Sequence, residues 1–248
     1  MQNLAHLMPY ISIFSTLVTF IFVAAVFERY RRRGGAHLLL WGIGLIFYGL
    51  GTLTEAVLIF AFHPLALKIW YLSGAMLTAA WLGQGTIHLL WRKGNTTWIL
   101  TAFLALVSVV ALALVLIASV DASKAAAYMV NLPVSGQYKA ILGRTAVTKI
   151  LTILLNIYGT LGLVGGALYS AYIFWRKHVL ADRMYGNILI AGGALLPAMA
   201  GTLIKAGLGD WLYLSEFLGV VLMYAGFIKA TAFRPAIDPE RAVAASAH

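Results

Sequence analysis

The chain has 248 residues, of which 62% are hydrophobic and only 10% charged, with a mean hydropathy of +0.89 and a net charge of +10. A soluble domain carries roughly a quarter charged residues and about 45–50% apolar ones, so both departures exclude a single soluble core and make lipid the solvent. Basicity of this size in a soluble protein would suggest nucleic acid, but in a membrane protein it first reports topology.

Apolar stretches of about 20 residues, enough to cross ~30 Å of hydrocarbon, recur seven times. They run over 9–28, 37–61, 69–91, 97–118, 146–175, 184–206 and 211–231, which predicts an all-α bundle of seven transmembrane helices in a single domain, 1–231. The first span is expected to be a retained anchor and not a cleaved leader, because residues 1–8 hold no Lys or Arg while the basic cluster Arg29, Arg31, Arg32 and Arg33 follows the apolar run. Basic pairs Arg92-Lys93 and Arg176-Lys177 close the third and fifth spans, and Lys229 and Arg234 follow the seventh. With Arg183 and Arg241, that side takes two thirds of the basic residues; Lys68, Lys124, Lys139, Arg144, Lys149 and Lys205 remain on the other. The positive-inside rule then puts the N-terminus outside and the C-terminus in the cytoplasm, with residues 232–248 as a disordered cytoplasmic tail. Trp41, Trp91, Trp98, Trp175 and Tyr185 fall at the inner ends of spans and Trp70, Tyr71, Trp211 and Tyr213 at the outer ends, as interfacial aromatics should. A bacterial or archaeal cytoplasmic membrane is the expected location, with no role for nucleic acid.

An internal repeat runs through the spans. Gly51-Thr52-Leu53-Thr54-Glu55-Ala56 in the second span matches Gly201-Thr202-Leu203-Ile204-Lys205-Ala206 in the sixth, and Trp70-Tyr71-Leu72-Ser73 is echoed by Leu212-Tyr213-Leu214-Ser215. This suggests a 3+1+3 duplication, with repeats 9–93 and 146–231, a linker helix at 97–118 and an extracytoplasmic loop at 119–145 that could hold a short surface helix. Parallel repeats of that kind are a known transporter plan. In plan, though not in motif, the chain is similar to the SWEET and PQ-loop transporters; their Pro-Gln pair is missing, and Pro197 alone stands well inside a span. A microbial-rhodopsin reading fails on the seventh span, which has Glu216 and then only Lys229 at its inner end where a mid-depth retinal lysine is needed. Seven-helix input modules of bacterial sensors are another analogue.

Charges inside spans are the best pointers to a site, since each costs a few kcal/mol at the bilayer centre and needs a partner or water. Glu55, Lys149, Lys205 and Glu216 all fall in the outer half, where they form either structural ion pairs or the wall of an outward-facing cavity between the second, fifth, sixth and seventh spans. A second polar set is expected nearer the cytoplasm: Gln84 and His88, four residues apart on one helix face, with Asn156 from the fifth span. His37 and His88 are the histidines a haem would need, although both lie near span ends. Pro197, after Gly192 and Gly193, should kink the sixth span.

The chain has no cysteine, which removes disulfides, thiolate metal sites and thiol nucleophiles. No His-Glu-x-x-His, Gly-x-Ser-x-Gly or paired-aspartate motif is present, so nothing in the spacing argues for catalysis. Three functional classes stay open: a transporter-like or receptor-like protein binding a small molecule or ion; a non-catalytic membrane subunit of a respiratory or redox complex, with partner subunits or copies of itself; and a membrane protein carrying haem, quinone or carotenoid. No cofactor is specified, and lipid is the one partner the composition requires.

Overall fold

The computed structural model describes residues 10–91, 94–130, 132–178, 180–199 and 211–232. Those residues are almost entirely helical. Numbered in chain order, α1 is Ile11–Arg33, α2 Ala36–Phe60, α3 Pro64–Leu90, α4 Thr96–Ile117, α5 Ala122–Ala126, α6 Val134–Ile141, α7 Ala146–Arg176, α8 Ala181–Ala198 and α9 Trp211–Thr231. Six of them (α1, α2, α3, α4, α7 and α9) are long and apolar enough to cross a membrane. The described part of α8 is shorter and opens on Asp182, Arg183 and Asn187, which lower its hydropathy below that of the other six.

Local chemistry explains where helices begin and turn. Gly34 and Gly35 both take positive φ, +65° and +104°, and reverse the chain between α1 and α2. Pro64 opens α3 at a position where no amide hydrogen is needed, and the Thr145 hydroxyl caps α7 by accepting from the Thr148 amide at 3.2 Å. The segment between α4 and α7 is pinched shut at its base: the Asp121 amide donates to Ile141 O and the Gly143 amide to Ser119 O, each at 2.9 Å. Within it, Asp121 caps α5 through the Ser123 and Lys124 amides. The Asp121 carboxylate is held below its ordinary range by the Ser123 hydroxyl first and by these amides. The Gln137 side chain ties Met129 and Leu132 to α6. The loop read from the sequence at 119–145 therefore contains two helices.

Packing concentrates on α2, α3, α8 and α9. Helices α2 and α3 meet where Gly51 faces Gly74; a Cβ on Gly51 would stand 2.9 Å from the Gly74 Cα. Helices α3 and α7 meet as closely, since a Cβ on Gly159 would overlap the carbonyl of Ala79 and the amide of Ala80. Small residues let backbones approach this way without a hydrophobic drive between helices. By contrast α4 is peripheral: it buries only Thr97, Leu104, Ala111 and Val115 and turns Ile99, Phe103, Leu106, Val109 and Ile117 outward, the pattern of a lipid-facing surface. Trp81, in mid-span on α3, is accounted for by its indole N–H, which donates to Ser108 Oγ on α4 at 3.1 Å.

Two long helices contain π-helical turns, Tyr71–Leu77 in α3 and Leu161–Gly165 in α7. Such turns loosen the regular backbone ladder and are frequent at functional sites. The freed carbonyls in α3 are taken up by side chains: Thr78 Oγ1 donates to Ser73 O at 2.8 Å and Asn156 Nδ2 to Ala75 O at 2.7 Å. Both turns border the same space.

Candidate functional site

That space is a cavity of about 280 Å³ between α2, α3, α7, α8 and α9, roofed by α6. Each wall arrives there for a local reason. Gly51 and Gly74 bring α2 and α3 together and turn Glu55 and Thr52 inward; the π-turns in α3 and α7 leave the gap lined by Gly74, Ala75, Leu163 and Val164; Pro197 and Ala198 close the α8 side. Glu216, in the second turn of α9, completes the wall opposite Glu55.

The two carboxyls adjoin on the cavity wall. Glu55 is 2% exposed, and its Oε1 has no hydrogen-bond partner; Glu216 is half-buried, with its Oε2 likewise shut from solvent and unpartnered. Two carboxyls held side by side away from water do not both ionise. Tyr48 fixes the relation of α2 to α9 by donating to the backbone carbonyl of Glu216 at 2.8 Å.

The roof is built from aromatic and cationic side chains. Tyr138 on α6 stacks near Trp70 and Tyr71, with ring centroids 5.2 and 5.5 Å apart. The Arg144 guanidinium lies 4.7 Å over the Tyr138 ring and 5.6 Å from that of Tyr71. Burial pushes the Tyr138 phenol up, against the pull of Arg144. Tyr128 donates to Leu58 O at 3.3 Å, and its phenol is pushed up to about 12, chiefly by burial. Lys139 stands at the exposed rim. None of these roof residues was singled out as a site from the sequence; the signal was the aromatic and basic content of 119–145, which needed the fold to be placed over the cavity.

The other predicted site residues separate. Lys149 lies on an exposed face of α7 and does not line the cavity, so it is no partner for either carboxyl. Lys205 falls outside the described residues, as does the repeat segment 201–206. Among the described residues, neither Glu55 nor Glu216 forms an ion pair. Pro197 sits in the last described turn of α8 and borders the cavity.

Asn156 parts from Gln84 and His88. It lines the cavity and donates to Ala75 O and Thr152 O, because the π-turn in α3 offers it an unclaimed carbonyl. Gln84 is fully buried and completely engaged: its amide donates to Thr97 O at 3.0 Å and Thr101 Oγ1 at 2.8 Å, and its carbonyl oxygen accepts from Tyr158. His88 Nε2 pairs with the same Thr101 hydroxyl at 2.8 Å, and its ring stands edge-on to Trp98. His37 is edge-on to Trp41. The two histidines are thus each held by their own neighbours. Among the described residues, no group of three or more His, Asp or Glu side chains is placed to hold a metal ion.

Neither a protein-family model, nor a curated protein, nor a solved structure matches this chain. The functional reading therefore rests on the site itself.

Proposed function

We propose that the chain is a seven-span membrane protein, N-terminus outside, whose cavity between α2, α3, α7, α8 and α9 binds a small molecule or ion in a transporter-like or receptor-like role. The observation that carries the reading is the carboxyl pair: two unpartnered buried oxygens on the wall of a cavity whose size lies just below the ~300–1,000 Å³ of small-molecule sites. A purely structural pair would be expected to satisfy its oxygens, since an orphaned buried acceptor costs about 1–3 kcal/mol.

The duplication belongs to the same proposal. Helices α1–α3 and α7–α9 form two three-helix units, in each of which the middle helix packs on both neighbours, and the peripheral α4 serves as the connector. The eighth helix then supplies the seventh span.

The test is a thermal-shift and equilibrium-binding screen of the protein in lipid nanodiscs, using small cations, anions and neutral molecules. A ligand that stabilises the protein and is lost in the cavity-filling variant Ala194→Phe is the expected result. If no class binds and Ala194→Phe is as stable as the parent, the cavity is only a packing gap. Topology is checked with single cysteines introduced at Ser123 and Arg32: the native chain has none, so labelling has no background, and only Ser123 should react from outside.

A further inference from the structure

The charge inventory of the cavity narrows what it holds. Facing the carboxyl pair are Tyr48 from α2, Tyr128 from the segment after α5, and Tyr138 and Lys139 from α6, with Lys139 out at the rim and the Arg144 guanidinium held over the Tyr138 ring, outside the lining. Helix α3 contributes Trp70 and Thr78, and α7 contributes Asn156 and Thr160, none of them charged; the α8 lining has no titratable group, and α1 supplies no lining residue, its Thr16 donating to Thr52 at 3.0 Å. Within the described residues the interior is thus acidic and aromatic, inside a protein that is basic overall.

A carboxyl pair in low dielectric without a cation is neutralised by protons. When a cation enters, it can take over that role, and the site stays neutral only if one proton leaves. Around the pair the cavity wall is largely aromatic and apolar, with Tyr48, Trp70 and Tyr138 among its lining. An organic cation uses the same wall well, through ring faces and two carboxyls.

We infer that the Glu55–Glu216 pair exchanges a proton for a small monovalent organic cation, an inference that rests on the binding role proposed above. In the empty site both carboxyls are protonated. In the occupied site one proton remains between them, the cation lies against the pair, and the other proton goes to solvent, so the site carries no net charge in either state.

The experiment is calorimetric titration of the protein in nanodiscs with tetramethylammonium, which keeps its charge at every pH, in buffers of different ionisation enthalpy. Release of about one proton per bound cation is expected, with affinity rising up to about tenfold per pH unit across the exchange range. The Glu55→Gln, Glu216→Gln double variant, folded and monodisperse, should neither bind nor release protons. Lys205→Ala should leave the proton count unchanged. Binding without proton release overturns the exchange while leaving the cavity role intact. Loss of release in Lys205→Ala overturns it too, since the released proton would then be that lysine's and not the carboxyl pair's. If acetate or tert-butanol binds in the cavity and tetramethylammonium does not, the ligand class is wrong; if none of the three binds, the proposed function falls with it.

Discussion

Two buried polar clusters sit in the same bundle and are built on opposite terms. Around Gln84 every polar atom of the amide is spoken for: Thr97, Thr101 and Tyr158 close the network, and His88 is joined to it through Thr101. Around Glu55 and Glu216 two oxygens are left without partners, and both side chains line the cavity. A satisfied network fixes the packing of three helices. An unsatisfied one keeps binding capacity in reserve. Intramembrane polarity alone therefore does not mark a site; what marks it is polarity that the fold leaves unanswered.

Disabling the unsatisfied cluster should produce the largest functional effect and almost no structural one. The Glu55→Gln, Glu216→Gln double variant is expected to lose ligand binding by about 100-fold or more, the scale of ~3 kcal/mol, while its thermal unfolding in detergent stays at or above that of the parent, because a buried acidic pair contributes little net stability. A clear fall in unfolding temperature, with binding retained in the folded fraction, would reverse the assignment of roles.

The opposite signature is expected from Gln84→Leu. It strands Tyr158 and Thr101 and should cost about 1–3 kcal/mol of stability, read by denaturation in mixed micelles, with ligand affinity within a factor of two or three of the parent. Hydrogen bonds between membrane helices often contribute less than ~1 kcal/mol each, so Tyr158→Phe, which removes a single bond, should show a smaller loss in the same direction.

Gly159 joins the two regions, since it lines the cavity and directly follows Tyr158, which donates to Gln84. Gly159→Ala must separate α3 from α7, because the new methyl would overlap the backbone of Ala79 and Ala80. A stability loss of about 1–3 kcal/mol is expected, together with weakened binding. A variant that loses neither would show that the contact between α3 and α7 is not rigid.

The helical framework could be read because a span is an average property. Twenty apolar residues in a row outvote any single position, and the expected limits of α2, α4, α7 and α9 lie within one residue of those in the structure. The site was legible only by residue type. Glu55 and Glu216 were singled out because charge in a span is costly, but nothing in the sequence told which lysine, if any, would face them; a one-residue step turns a side chain by 100° on a helix, and Lys149 points outward. Asn156 was grouped with the wrong neighbours because its partner is a main-chain carbonyl exposed by a π-turn, and a π-turn has no side-chain signature of its own. The roof was out of reach for a related reason: Tyr128, Tyr138 and Arg144 gain their positions from the backbone closure at Asp121 and Gly143, a long-range event.

The smallest expected effect concerns that roof, and it separates roof from cavity by pH. In the folded protein the Tyr128 phenol is pushed up to about 12, whereas in an unfolded or opened segment it ionises near 10. A group whose folded pKa is raised contributes stability that is fully present below the unfolded value and is lost as pH rises through the folded one. Roof closure should therefore weaken between about pH 10 and pH 12, while remaining insensitive to pH below that window as far as Tyr128 is concerned. Hydrogen exchange of the amides in 119–143, followed against pH and corrected for base catalysis, reads this opening directly. Tyr128→Phe removes the ionising group along with the bond to Leu58 O, and should flatten the alkaline loss at the expense of slightly weaker closure at neutral pH. If the variant and the parent open identically across the window, Tyr128 is not part of the latch, and the clamp of Arg144 over Tyr138 and Tyr71 holds the roof alone.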